Sequence, residues 1–349
     1  MTILHLFNPE HDIALASNLS NFTAPHAGRQ LRHDLGYLPA IWAAQDDYVL
    51  VDDVEWAQTA YSRLMHKSFD RFVDKHQLSK LDIDRVEPWG WDLALRSFLM
   101  RYGVKAVPSE EEIAIIRDLS HRRTAVRLLS ELKGDGLIGE SWLSESLEGV
   151  GDLLKQHRHL VVKAPWSSSG RGIRFIDEAM DDYQERWINN VIARQGNIIV
   201  EPYYHKVKDF GMEFESDGEG HVRYLGLSLF HTQNGAYTGN VLASEEEKQE
   251  MISHYLPIDL LNTIQERICI FMGEQYRRRY KGPFGVDMMV VANADVSNID
   301  GFLLHPCVEI NLRRTMGHVA LELSKQCASD QVMRIDFADN TYKLKIQRL

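Results

Sequence analysis

The 349-residue chain is poor in cysteine, with only Cys269, Cys307 and Cys327 and no C-x-x-C pair. An odd, widely spaced set argues against a disulfide framework and fits reduced thiols, so a cytoplasmic location is expected. No apolar run approaches the roughly 18 residues a membrane helix needs, so no membrane partner is expected. Positive charge is also scarce: 39 Lys and Arg face 50 Asp and Glu, a net charge of −11. That deficit speaks against nucleic acid or an anionic bilayer as a general partner, because both need clustered cations. The start, Met1 to Phe7, lacks the basic region of a signal peptide. It reads instead as a buried strand, broken at once by Asn8-Pro9-Glu10-His11-Asp12.

Several motifs are missing too. There is no G-x-x-x-x-G-K-[S/T], no G-x-G-x-x-G opening a helix after the first strand, and no H-E-x-x-H among the fifteen histidines. A Walker-type phosphate loop, a dinucleotide fingerprint and a helical zinc site are thereby excluded. No Ser-His-Asp or reactive-cysteine signature points to a nucleophilic side chain. What remains, with 44% hydrophobic and 26% charged residues, is a soluble globular chain long enough for about two domains.

The first part alternates short apolar runs with helical stretches: Ile3 to Phe7, Tyr48 to Val51, the amphipathic Trp91 to Tyr102, then Val104 to Val107. This rhythm predicts a small open α/β sheet. At Pro108-Ser109 the chain turns, and Ser109 with Glu112 forms a capping box opening a helix. A second helix from about Ser120 carries Ala125, Leu128, Leu129 and Leu132 on one face. The strands Leu160 to Lys163 and Ile173 to Ile176 bracket a Ser/Gly loop as a hairpin. A helix over Asp181 to Arg194 leads to the apolar strand Asn197 to Pro202. Antiparallel strands, a long helix around Leu260 to Tyr280, and the strands Val286 to Val291 and Val308 to Leu312 follow.

The strand around Val308 carries the strongest chemical signal. Alternation puts Val308, Ile310 and Leu312 on one side and Glu309, Asn311 and Arg313 on the other. A carboxylate, an amide oxygen and a guanidinium on one face suit Mg²⁺ and phosphate, although alternation alone also fits a solvated edge strand. Asp287 adds weight, since a charge in the apolar run Val286 to Val291 needs a partner. An arginine would serve; a metal shared with Glu309 and Asn311 accounts for all three. Lys163 closes an apolar strand just before Ser167-Ser168-Ser169-Gly170-Arg171-Gly172, a loop whose backbone N–H groups can face phosphate oxygens.

Taken in order, a basic helix start, a Val-Val-Lys strand with a Ser/Gly flap, an Ile-Val-Glu-Pro hinge, an Asp in a Gly-Val-Asp strand and a Glu-Ile-Asn-x-Arg strand resemble the ATP-grasp superfamily over residues 110 to 325. The resemblance implies three regions: an N-terminal α/β domain (1–108), an ATP-grasp N-lobe (109–202) and a C-lobe with the metal-binding strands (203–349). ATP and Mg²⁺ are the implied cofactors. Lys163 would contact the ATP phosphates, with Ser167 to Gly172 closing over them. Glu201 and the Tyr203 backbone would recognise adenine, with Ile199 and Val200 near its ring. Asp287, Glu309 and Asn311 would hold the metal, and Arg313 would neutralise the transferring phosphoryl group. The second phosphate-binding cation, a lysine elsewhere in the superfamily, would here be Arg122 or Arg123.

The implied activity is an ADP-forming ligase joining a small-molecule or peptide carboxylate to an amine. A kinase on the same fold and a nucleotide-binding module without turnover are the alternatives. Substrate contacts are expected from Asn8 and Glu10, because open α/β sheets bind ligands at the carboxyl ends of their strands. A capped helix start would use the same residues. His231, Tyr237 and Asn240, in the polar stretch around Asn234-Gly235, are further candidates. A homodimer is the expected assembly.

Overall fold

The computed structural model describes residues 1–167, 172–233, 236–293, 301–326 and 330–348. In chain order the first stretch holds β1 (Ile3–Leu6), α1 (His11–Ser17), α2 (His26–Leu35), β2 (Tyr48–Leu50), α3 (Val54–Met65), β3 (Phe72–Val73), β4 (Arg85–Pro88), α4 (Leu93–Arg101) and α5 (Glu110–Leu119). Next come α6 (Arg123–Glu131), β5 (Trp142–Ser144), α7 (Leu147–His157), β6 (His159–Lys163), β7 (Ile173–Asp177), α8 (Asp182–Gln195) and β8 (Ile198–Pro202). The strands β9 (Lys206–Ser216), β10 (Val222–Ser228), β11 (Phe230–Gln233) and β12 (Ala236–Leu242) precede α9 (Glu245–Ser253) and α10 (Ile258–Tyr276). The chain ends with β13 (Gly282–Ala292), β14 (Phe302–Asn311), α11 (Met316–Ser324), β15 (Gln331–Ala338) and β16 (Thr341–Arg348). No described helix is long and apolar enough to cross a membrane.

The chain divides into two compact units. Unit 1 comprises Met1–Arg117, Thr238–Ser244 and Leu312–Leu349; unit 2 comprises Asp118–Tyr237 and Glu245–Asn311. Unit 1 runs through Arg117, whose Nε donates to the Leu15 carbonyl at 2.7 Å and ties most of α5 to that unit. Residues 312–349, expected with the C-lobe, also belong to unit 1. There β15 pairs antiparallel with both β12 and β16, and the Tyr342 N–H donates to Asp34 at 2.8 Å.

In unit 1 a parallel sheet runs β3-β2-β1-β4. Leu4, Leu6, Leu50, Val73 and Val86 from its strands form one core with Leu95 and Leu99 of α4. The expected strand at Val104 to Val107 is absent. Val104 packs into this core from an extended segment, and the fourth strand is Arg85–Pro88, whose charges and proline hide it from a pattern of apolar residues.

Unit 2 holds two four-stranded sheets, β5-β8-β6-β7 and β10-β9-β13-β14. In the first, Leu160, Val162, Ile176, Ile198 and Val200 face Val150 and Leu154 of α7 and Ile188 and Val191 of α8. In the second, buried Phe210, Phe214 and Phe284 form an aromatic layer on which Tyr276 of α10 rests, its ring 5.0 Å from Phe284. Each sheet thus spends one face on helices. Alternation leaves the other face for the residues that carry charge.

Local signals set the helix ends. Asp181 and Gln184 form a reciprocal capping box on α8, and Gly196 at φ 87° closes it. Asp181→Ala should lower stability by about 1 kcal/mol, read as a lower urea midpoint with an unchanged slope. The expected Ser109–Glu112 box is present on α5, with bonds of 2.7 and 3.1 Å.

Candidate functional site

The site is built on the second face of each sheet in unit 2. On β13 and β14, Asp287 lies directly opposite Glu309, and Gly285 opposite Asn311. Cross-strand partners share a face, so Asp287, Glu309 and Asn311 form one polar row. Asn311 Nδ2 donates to Asp287 Oδ2 at 3.0 Å, which fixes the amide beside the carboxylate. Gly211 of β9 pairs with Asp287 from the other side, and a Cβ there would approach Asp287 Oδ1 to 3.4 Å. The tighter approach of that Cβ would be to the Val286 carbonyl, at 3.2 Å.

On the facing sheet, Lys163 and Glu201 are diagonal neighbours of β6 and β8 and form an ion pair of 2.6 Å, both side chains being buried. Ser141 Oγ donates to Glu201 at 3.3 Å, and Lys163 Nζ reaches the Val308 carbonyl of β14 at 3.4 Å. The two sheets thus meet at Lys163. Phe175 of β7, opposite Val161 and 63% exposed, lies on this same face, its ring 6.1 Å from that of Tyr203. Sequence reading passed it over, although the alternation of β7 marks it.

Arg122 and Arg123 separate clearly. Arg122 is buried. Its Nε donates to the Ala164 carbonyl at 3.0 Å, and its Nη2 to Ser167 Oγ at 3.1 Å and to Glu309 at 2.9 Å. Its Nη1, also buried, has no hydrogen-bond partner among the described residues. Arg123 instead pairs with Asp118, which also meets Arg279 at 3.4 Å. One arginine is therefore directed at the polar row and the foot of the flap, and its neighbour is not.

Other expected positions are distributed as follows. Ser168, Ser169, Gly170 and Arg171 lie outside the described residues; Gly172 closes the loop, its carbonyl accepting from the Ala164 N–H at 2.8 Å. Of the two residues expected near the adenine ring, strand alternation turns Val200 into the helix-side core and leaves Ile199 on the face of Glu201. The Tyr203 N–H donates to the His159 carbonyl at 2.9 Å, so an adenine contact at Tyr203 would fall to its carbonyl. Arg313 belongs to unit 1, where it pairs with Asp12 at 2.8 Å.

Asn8 is buried, donating to the Gly90 carbonyl at 2.8 Å and to Asp92 at 3.3 Å. Glu10 pairs with Arg32, and burial raises its carboxyl above the usual range. These partners tie Asn8 to the loop after β4 and Glu10 to α2. His231 and Tyr237 belong to unit 2; burial, with Glu213 beside it, raises the Tyr237 phenol. Asn240 is fully buried on β12 in unit 1, and Asn234-Gly235 lies outside the described residues.

Among the described residues no group of three or more His, Cys, Asp or Glu is placed to hold a metal. The row supplies two carboxylates and one amide instead. Such a hard oxygen set fits Mg²⁺, which takes one or two carboxylates and fills its other positions with water and phosphate.

His305, fully buried on β14, has no hydrogen-bond partner on either ring nitrogen among the described residues. Burial, reinforced by Lys163, pushes it down to about 3. The unfolded chain protonates near the ordinary value of about 6.5, so stability should fall as pH drops below it. The loss between pH 6.5 and 5 should be on the order of 1–2 kcal/mol. In denaturant titrations at the two pH values, His305→Phe should reduce the difference by that amount.

No protein-family model matches the chain, and no curated protein is a significant match to it. Solved structures are similar. Biotin carboxylase from Campylobacter jejuni, in its beta-gamma-ATP complex, aligns over 97% of this chain and 77% of its own, with TM-score 0.54 and 12% identity. N5-carboxyaminoimidazole synthetase from Staphylococcus aureus, complexed with ADP, aligns over 97% and 83% with TM-score 0.49 and 12% identity. D-alanyl-alanine synthetase A from Vibrio cholerae O1 biovar eltor aligns over 93% of both chains, with TM-score 0.48 and 16% identity. The agreement with the first of these over nearly the whole chain establishes the architecture: this chain has the ATP-grasp fold.

Proposed function

We propose that the protein is an ATP- and Mg²⁺-dependent ligase that joins a carboxylate to an amine or similar nucleophile. The observation that carries this reading is a pair of buried cations beside the Asp287, Glu309 and Asn311 row inside unit 2: Arg122 pairs with Glu309, and Lys163, paired with Glu201, reaches the Val308 carbonyl next to it. Buried cations that reach a hard oxygen set fit a polyphosphate with its divalent ion. They do not fit an apolar ligand.

In the reaction, an oxygen of the substrate carboxylate attacks the ATP γ-phosphorus and the bond to the β-phosphate oxygen breaks. ADP leaves and an acyl phosphate remains. The amine nitrogen then attacks the acyl carbon, phosphate departs, and the nitrogen loses a proton. No side-chain nucleophile takes part, so the protein acts by position and electrostatics. Lys163 would hold the phosphate tail, and Glu201 and the Tyr203 carbonyl the adenine. Arg122 would steady the phosphate end through its buried Nη1 and Nη2, with the Ser167 to Gly172 flap above. Arg313 would offset charge on the transferring group. Asp287, Glu309 and Asn311 would hold Mg²⁺, which when bound neutralises phosphate charge and polarises the phosphorus.

ADP release that depends on both Mg²⁺ and an added carboxylate, with a hydroxamate formed when hydroxylamine is present, is the expected result. A stable phosphate ester would assign a kinase instead. Nucleotide binding is tested more simply: Mg²⁺-ATP at about 100 Kd should stabilise the protein by about 2.7 kcal/mol, and no thermal shift would remove the reading.

A further inference from the structure

Arg122 is clamped before it meets the polar row. Its backbone N–H donates to the Pro165 carbonyl at 3.2 Å, its Nε to the Ala164 carbonyl at 3.0 Å and its Nη2 to Ser167 Oγ at 3.1 Å. Bonds from Nε and Nη2 set the plane of the guanidinium, because its fork is rigid. The same Nη2 pairs with Glu309 Oε1 at 2.9 Å. Arg122 is 7% exposed and Glu309 28%, so solvent screens this pair less than a surface bridge. All of these residues belong to unit 2.

Glu309 therefore has two claimants. It lies opposite Asp287 in the row proposed to hold a divalent ion, and it also carries the charge that balances Arg122. A guanidinium in that position offsets one of the two carboxylate charges of the row and repels a cation brought beside it. Lys163 differs, since its carboxylate partner, Glu201 at 2.6 Å, is not a member of the row. Arg122 has a further capacity in Nη1, which is buried with no hydrogen-bond partner among the described residues. A polyphosphate would give that nitrogen an anionic acceptor and would compete with Glu309 for Nη2.

We infer that Arg122 couples the two ligands: paired with Glu309 it holds down the affinity of the row for a divalent ion alone, and taken up by phosphate it releases the row to the ion. The inference rests on the roles proposed for Arg122 and for the row, and deepens them. Each ligand alone has a pair to break, since the free ion meets the guanidinium and the free nucleotide finds Arg122 held by a carboxylate. The metal-nucleotide complex satisfies both groups at once, so it is the form this site takes. Coupling of this kind is reciprocal, and both halves can be measured.

Two substitutions in the full chain test the two halves. Mn²⁺ alone, followed through the EPR signal of the free ion, should bind Arg122→Gln about tenfold more tightly than wild type, whereas Mn²⁺-ADP should bind it about tenfold more weakly. Arg122→Lys, which restores the charge, should reverse the gain for the ion alone. ADP in excess EDTA, titrated by calorimetry, should bind Glu309→Gln about tenfold more tightly than wild type. Adding Arg122→Gln to Glu309→Gln should bring no gain for Mn²⁺, because that gain acts through Glu309. Residues that only contribute contacts would produce losses in every one of these titrations. Arg122→Gln that takes up Mn²⁺ no more tightly than wild type, or Glu309→Gln that takes up metal-free ADP no more tightly, overturns the inference, and either result suffices if the other variant does not fold. A wild-type chain that binds neither ADP nor Mn²⁺-ADP would instead remove the proposed function beneath it.

Discussion

Lys163→Met should destabilise the protein by about 3–5 kcal/mol and abolish nucleotide binding, and the two losses should be separable. The stability loss comes from Glu201. With Lys163 gone, its carboxylate is left buried with a Ser141 hydroxyl bond of 3.3 Å and no cation against it. The ammonium bond to the Val308 carbonyl disappears as well. Replacing both members of a buried pair is far milder than removing one, since no uncompensated charge remains. The double variant Lys163→Met with Glu201→Gln should therefore recover most of the urea midpoint. It should not recover the thermal shift with Mg²⁺-ATP, because the cation that would hold the phosphates is still missing. A single variant as stable as wild type would show that the pair contributes nothing to the fold. A double variant that regains the nucleotide shift would show that Lys163 is a structural cation.

Parts of this arrangement are visible in the sequence, and the reason lies in their range. The capping box at Ser109 and Glu112, the hairpin of β6 and β7, and the alternation of Glu309 and Asn311 depend on neighbours within a few residues. A periodic pattern or one hydrogen bond defines each. The buried faces of α6 follow in the same way: Ala125, Leu128, Leu129 and Leu132, spaced for one helical side, are all buried.

What stayed hidden depends on residues far apart. The strand Arg85–Pro88 exists because β1 offers it a parallel edge, and nothing in its own four residues announces that. The return of residues 312–349 to unit 1 rests on β12 and on Asp34. Two adjacent arginines cannot be told apart by a local pattern. Arg122 is distinguished only when Ala164, Ser167 and Glu309 arrive around it, and Arg123 when Asp118 does. Alternation along β8 also separates Ile199, on the face of Glu201, from Val200 in the helix-side core. Buried charge was the sequence clue at Asp287, and the Asn311 amide, two residues beyond Glu309, donates to it.

Asp287→Ala and Asn311→Ala should each lower Mg²⁺-dependent turnover by at least two to three orders of magnitude, about 3–4 kcal/mol of transition-state stabilisation. The fold should respond less than the turnover. Asp287 is half-buried, and a Cβ already sits where the alanine would, so no core cavity opens. The two side chains are hydrogen-bonded to each other at 3.0 Å, and a hydrogen bond to a charged group of this kind contributes about 1.5–3 kcal/mol, less than the kinetic loss. A large kinetic loss against a smaller thermal one would therefore separate ligands of a divalent ion from structural polar residues. Metal titration sharpens the test. If Asp287 and Asn311 supply oxygens to Mg²⁺, the concentration of Mg²⁺ needed for half-maximal nucleotide binding should rise in both variants. Mn²⁺, which accepts the same oxygen set with less strict geometry, should recover part of the loss in Asn311→Ala. Turnover retained in either variant at wild-type Mg²⁺ dependence would withdraw the metal assignment while leaving the roles of Lys163 and Arg122 standing. Those residues reach Glu309 and Glu201 through contacts that do not involve Asp287.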